Sequence, residues 1–265
     1  MTKELATAQK AGLSMSPKIM PTIPGLQIAA TICPARKVSG DYFDFTTTAS
    51  GKHGFVIADV MGKGLSAAMV VPVTRSIMRL VAKHADSPKA VLSHVNNILL
   101  DDLGDLHTFV TVFYGVYDPD SKILSFSNAG HTPPLLWHNR EKRVKPMHVP
   151  GVLAGVKPNA QFEEKTLKLA PGDVIILYTD GVKDVRNDEG KMIGITFLED
   201  TLAEYHDFDA ASISEVILHK ISEYIKGDFE HLKDDITLVV IKSVAKNDHI
   251  RLQETESSPR RAGQA

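Results

Sequence analysis

The chain predicts an α+β fold: a layered β-sandwich of two antiparallel sheets flanked by helix pairs. Three observations carry that expectation. The candidate elements run in the order strands, helix pair, strands, helix pair, strand. Turns of hairpin length join the strands, which favours antiparallel pairing over the long crossovers of a parallel sheet. Each helix pair shows an apolar stripe, which must be buried against a sheet face.

The elements follow from local pattern. Residues 1–13 are helical in composition but poor in strong apolar positions, and Pro17, Pro21 and Pro24 then impose an extended linker. Residues 1–25 therefore read as an arm ahead of one domain over residues 26–242. Leu26 to Cys33 alternates as a strand, Pro34 to Gly40 turns, and a second strand carries Asp41 and Asp44. Gly54 to Ala58 is the third strand. Leu65 to His84 places Met69, Val70, Val73, Ile77, Leu80 and Val81 on one helical face, with Pro72 expected to kink the helix or mark its real start. Asp86-Ser87-Pro88 opens a second helix over 88–103.

Phe109 to Tyr117 and Ile123 to Ser127 form a hairpin, and Leu135 to His138 is a short strand. Residues 139–160 read as irregular. Phe162 to Leu169 is expected to pair with Val174 to Tyr178 across the Ala170-Pro171-Gly172-Asp173 turn. Helices are expected at Gly194 to Tyr205 and through Ile213, Ile217, Ile221 and Ile225, before a final apolar strand, Ile236 to Ile241. Residues 243–265 are polar and read as a disordered tail.

Composition narrows the function classes. The 265 residues are 43% hydrophobic and 23% charged, with a formal charge of -2, so nothing points to nucleic acid or an anionic membrane as partner. The single cysteine, Cys33, excludes an intrachain disulfide and a cysteine-based zinc cluster and suits a reducing compartment. No apolar run approaches the roughly 18 residues of a membrane span, and no signal-peptide core is visible, so a cytoplasmic protein is expected.

Acids with one local grammar recur at Asp41, Asp59, Asp180 and Asp234/Asp235, separated by 18, 121 and 54 residues. Each stands at a strand end or in a tight turn, with Asp41 and Asp180 beside a glycine and Asp59 near Gly62. One such acid alone reads as a turn residue or helix cap. Four invite another reading, because converging carboxylates cannot all ionise without a cation. An all-oxygen ligand set suits Mg²⁺ or Mn²⁺ better than zinc. Competing motifs fail: Gly62-Lys63-Gly64 lacks the first glycine and the Ser/Thr of a phosphate loop, and Gly64-Leu65-Ser66-Ala67-Ala68 lacks the last glycine of a nucleophile elbow. His131, in an Asn-Ala-Gly-His turn, reads first as a loop lock and second as a ligand-orienting group or acid.

Five segments follow in order: Val38-Ser39-Gly40-Asp41-Tyr42-Phe43-Asp44, Ala58-Asp59-Val60-Met61-Gly62-Lys63-Gly64, Asn128-Ala129-Gly130-His131-Thr132-Pro133-Pro134, Tyr178-Thr179-Asp180-Gly181-Val182 and Asp234-Asp235-Ile236-Thr237. Together they resemble the SpoIIE/RsbU-type bacterial phosphatases, a branch of the metal-dependent serine/threonine phosphatases of the 2C class. The resemblance runs from about Leu26 to Ile241. It implies a 2C-type sandwich, two Mn²⁺ or Mg²⁺ ions, and hydrolysis of phosphoserine or phosphothreonine by a metal-bridging hydroxide. The implied substrate is a phosphorylated anti-sigma-factor antagonist-like protein in a partner-switching pathway.

By the same resemblance Asp59 bridges the two metals and the Val60 carbonyl is a further ligand. Asp41 serves the second metal, partly through water, while Asp180 and Asp234 serve the first, with Asp235 as the alternative to Asp234. Lys63 and Lys37 are the candidate substrate contacts, since no counterpart of the eukaryotic phosphate-binding arginine is evident. An upstream regulator or a homodimer is expected to use residues 1–13 and the helices at 65–103. The alternative function is a catalytically weak binding module of the same fold.

Overall fold

A computed structural model describes residues 16–229 and 232–245. The arm expected over residues 1–13 and nearly all of the expected tail lie outside the described residues. Among the described residues, ten strands form two five-stranded antiparallel sheets. One has the order β1 (Leu26–Cys33), β10 (Ile236–Ser243), β9 (Val174–Tyr178), β6 (Leu135–His138), β7 (Arg143–Pro146). The other has the order β2 (Asp41–Thr47), β3 (His53–Val60), β4 (Val110–Asp118), β5 (Ile123–Ala129), β8 (Lys165–Lys168).

Side-chain alternation along the strands builds three apolar layers. Phe43, Phe55, Ile57 and Phe113 of the second sheet meet Ile175, Leu177 and Val239 of the first between the sheets. The opposite parity of β3 and β4, including Val56, Ala58, Val112 and Tyr114, faces helices α1 (Leu65–Ala82) and α2 (Pro88–Leu103). On the other side Ile176, Leu238 and Val240 face α4 (Ile195–Tyr205) and α5 (Ala210–Tyr224). The predicted helix–sheet–sheet–helix layering is therefore the observed one.

Local expectations differ in five places. The Ala170–Asp173 turn forms, with the Asp173 N–H donating to the Ala170 carbonyl, but it passes the chain between sheets. Hence β8 pairs with β5, not β9, because turn chemistry specifies a reversal and not the strand's partner. Arg143–Pro146 is a strand, β7, inside the stretch read as irregular, and Asp180–Lys183 is a one-turn helix, α3. Helix α1 runs unbroken from Leu65 with Pro72 inside it, so the proline does not mark its start.

The fifth difference concerns α1 as a whole. It is long and apolar enough to cross a membrane by length and composition, contrary to the sequence reading. Its Ala67, Val70, Ile77 and Met78 pack on the sheet, however, and Arg75 and Arg79 pair with the buried Asp44 of β2. That ion pair fixes the outer face of the strand whose first residue is Asp41.

Candidate metal centre

The inner rows that are aromatic or aliphatic in the middle of the sandwich turn polar at one end. Along β2 the row runs from Phe43 to Asp41, along β3 from Ile57 to Asp59, and along β4 from Phe113 to Thr111. On the facing sheet Leu177 gives way to Thr179 just past β9, and Val239 to Thr237 in β10. Asp41 and Asp59 lie directly opposite each other in the β2–β3 register, and Thr111 lies opposite Asp59 in β3–β4. Period-two alternation thus delivers two acids and three hydroxyls into one inter-sheet space.

Asp41 is held from across that space. The hydroxyls of Thr179 and Thr237 both donate to its Oδ2 at 2.7 Å, and the Thr237 N–H donates to the Thr179 hydroxyl oxygen at 3.0 Å. Burial and the charge of Asp59 push the Asp41 carboxyl well up, while those hydroxyls act against the shift. Burial, then the charges of Asp180, Asp234 and Asp235, push Asp59 up to about 7. Asp180, opening α3, is raised by burial and by Asp234 and eased by Lys183 and Lys63. Asp59 is the acid that couples both to Asp41 and to the Asp180–Asp234 side.

The doubled acid divides its work. One oxygen of Asp235 accepts from the Ala35 N–H at 2.7 Å, and the other from the Ser39 hydroxyl at 2.9 Å and the Gly40 N–H at 2.8 Å. Asp235 therefore ties the loop before β2 to the start of β10, with both of its carboxylate oxygens engaged there. Asp234 instead faces the cleft, where Lys63 Nζ donates to its Oδ2 at 2.6 Å and to the Lys233 carbonyl at 2.8 Å. Gly181 permits this meeting: a Cβ there would stand 1.9 Å from the Asp235 carbonyl oxygen. Any side chain at 181 would drive Asp180 away from the β10 end.

The Val60 side chain is buried under α1, while its carbonyl oxygen stays at the acid end, 3.4 Å from where a Gly40 Cβ would lie. Lys37 is exposed and makes no contact with the acids. Arg36, which the sequence reading passed over, lies over the glycine turn, its Nη1 3.3 Å from an ideal Gly64 Cβ. No periodicity marks Arg36; only its place five residues before Asp41 could have drawn attention to it. Beside Asp234 a cleft of about 650 Å³ opens, lined by Lys63, Gly181, Arg186, Leu232 and Lys233 among others.

The donor set fits a hard divalent cation: every candidate ligand is oxygen, and the acids raise one another's proton affinity in a partly buried space. Among the described residues no three acids already converge to metal-ligand distances. Two causes are visible in the geometry. Like charges repel, and Asp41 Oδ2 and Asp234 Oδ2 are engaged by threonines and by Lys63.

Fold and site together have the architecture of the 2C-type phosphatase domains. The solved SiaA-PP2C domain of Pseudomonas aeruginosa superposes with a TM-score of 0.78 at 20% identity, covering 90% of this chain and 95% of that one. Residues 49–244 match the model of the family described as "Stage II sporulation protein E (SpoIIE)", and the chain belongs to that family. Protein IcfG of Synechocystis is 30% identical over 90% of this chain and 41% of its own length. "Phosphoserine phosphatase RsbU" of Bacillus subtilis is 27% identical over 84% of this chain and 65% of its own length. The chain thus spans less than two thirds of these relatives.

Proposed function

We propose that the domain is a divalent-metal-dependent protein serine/threonine phosphatase. Its substrate would be a phosphoserine or phosphothreonine on a regulatory protein, of the chemistry of an anti-sigma-factor antagonist in a partner-switching pathway. The observation that carries this reading is that Asp41, Asp59, Asp180 and Asp234 stand at one end of the sandwich, close enough to shift one another's proton affinity. A relative named as a phosphoserine phosphatase supports the reaction class. A cytosolic setting, consistent with one unpaired cysteine, is part of the same proposal.

Two ions, Mn²⁺ or Mg²⁺, suit the set. Asp59, which lies opposite Asp41 in register and feels the charges of Asp180 and Asp234, would be the acid shared between them, as the family resemblance implies. Asp41, with the Val60 carbonyl nearby, would hold one ion, and Asp180 with Asp234 the other. Bound ions would neutralise phosphoryl oxygens and activate water at neutral pH. The side chains supply the rest. Thr179 and Thr237 aim Asp41, and Asp235 fixes the loop that carries Arg36. Arg36, in place of Lys37, and Lys63 flank the glycine turn as the cations for the substrate phosphate.

Cys33, the single cysteine, sits in β1 with its thiol pushed up by burial, which disfavours it as a covalent nucleophile. Leu65, Met69 and Leu80 of α1 are exposed, which supports a partner or second copy docking on the α1–α2 layer.

The test is phosphate release from a phosphoserine protein in Mn²⁺, in Mg²⁺ and in chelator, for wild type and Asp59→Asn. Metal-dependent release lost in the variant supports the reading. Saturable metal uptake without release, with candidate phosphoproteins present, would favour a binding module instead.

A further inference from the structure

His131 is not used by the reaction as drawn, yet it is buried at the acid end, with 5% of its surface exposed. Its main chain is clamped by Asn128: the His131 N–H donates to Asn128 Oδ1 at 2.7 Å, and Asn128 Nδ2 donates to the His131 carbonyl at 2.9 Å. A bridge between Gly130 and Val112 fixes the same turn to β4. The loop is therefore locked without the ring. The imidazole is free to do something else.

The ring spans the two sheets. Nδ1 lies 2.8 Å from the hydroxyl of Thr111, which pairs with Asp59 in register and approaches the Asp59 carbonyl at 3.4 Å. Nε2 is buried and has no partner in strict hydrogen-bonding geometry. The Tyr178 main chain is nevertheless close enough to act on the ring's proton affinity. Tyr178 ends β9, two residues before Asp180.

We propose that His131 is a positioning residue that sets the spacing between the Asp59 edge of one sheet and the Asp180 edge of the other. It thereby fixes how well the acids accept a divalent cation. This rests on the metal reading of the centre given above. The Asp41–Thr179–Thr237 contact and the contacts of Asp235 with the loop before β2 are polar braces between the sheets, and His131 is a further one. Asp41 braces from a ligand; His131 braces from outside the ligand set, so its loss leaves every candidate ligand in place.

The ring can be split by substitution. His131→Asn keeps an amide near Nδ1, within reach of Thr111, and His131→Gln extends one towards Tyr178. Neither spans both sheets. Calorimetric titration of the full chain with Mn²⁺ should show about tenfold weaker uptake in each, the lower end of what outer-shell changes produce at metal sites. Thr111→Val should weaken uptake similarly and Thr111→Ser, which keeps the hydroxyl, should restore it. That pair tests the brace even if the His131 variants fold poorly.

Leu202→Ala, in the layer under α4 and α5, is the control for mere loss of stability. If the His131 and Thr111→Val proteins take up Mn²⁺ as this control does, the proposal is overturned and the metal reading stands. A wild type that takes up no Mn²⁺ overturns both.

Discussion

The same two sheets meet in two different ways along their length. In the middle they touch through Phe43, Phe55, Ile57, Ile175, Leu177 and Val239, all buried. At the acid end they touch through Asp41 with two threonines, Asp235 with the loop before β2, and His131. Apolar contact is non-directional and stabilises by area removed from water. The polar contacts add little net stability but fix direction, and the crowded acids oppose folding. The middle holds the sandwich shut, and the end spends part of that stability to place ligands.

Four measurements would sharpen or break this contrast. The largest effect is expected for Asp59→Asn: phosphate release should fall on the order of 10³-fold, several kcal/mol of transition-state stabilisation. In chelator the same variant should melt no lower than wild type, because a buried, repelled charge has been removed. Marked unfolding of the metal-free variant would contradict the division drawn here.

Phe55→Ala, in the middle row, should cost about 3–5 kcal/mol in denaturant titration. Mn²⁺ affinity of the protein that remains folded should stay unchanged. A large loss of metal affinity would show that the two ends are not separable.

A third check uses pH. Burial pushes the His131 imidazole down to about 4, so the fold keeps it neutral. The unfolded chain, with an ordinary histidine near 6.5, binds the extra proton first as pH falls. Stability from this group is thus complete above about pH 6.5 and is lost on approaching pH 4, to a total of roughly 3 kcal/mol. Denaturation in chelator should show wild type losing more than His131→Gln across that window. Parallel curves would show that the ring is not held neutral.

The smallest effect is expected for Thr237→Val, which removes one of two donors to Asp41. A cost of about 1–2 kcal/mol is expected in denaturant. The Mn²⁺ concentration for half-maximal release should rise severalfold, and an unchanged metal requirement would place Asp41 outside the centre.

Much of the acid end is legible in the chain. In Phe55-Val56-Ile57-Ala58-Asp59 the acid has the parity of the two inward residues, so a strand that buries Phe55 and Ile57 must also point Asp59 inward. Tyr42 and Asp44 share the other parity, which sends Asp44 outward to Arg75 and Arg79 while Asp41 faces in. The pairing of β8 was not legible, because β8 is short and carries mostly exposed residues, so no apolar pattern assigned it to either sheet. Nor was Arg36, whose position over Gly64 depends on a loop held by an acid 199 residues away.

The sequence by itself determined the layer order, the elements that bury each apolar stripe and the acids that stand at strand ends. These follow from period and punctuation, which are local properties. Only the tertiary structure gave Asp234 and Asp235 different surroundings. Adjacent residues at a strand start share the same local grammar. One is turned to the cleft beside Lys63 and the other into the loop before β2 by contacts 171 and 195–200 residues distant. Such contacts exist only after both sheets have closed, and no periodicity encodes them.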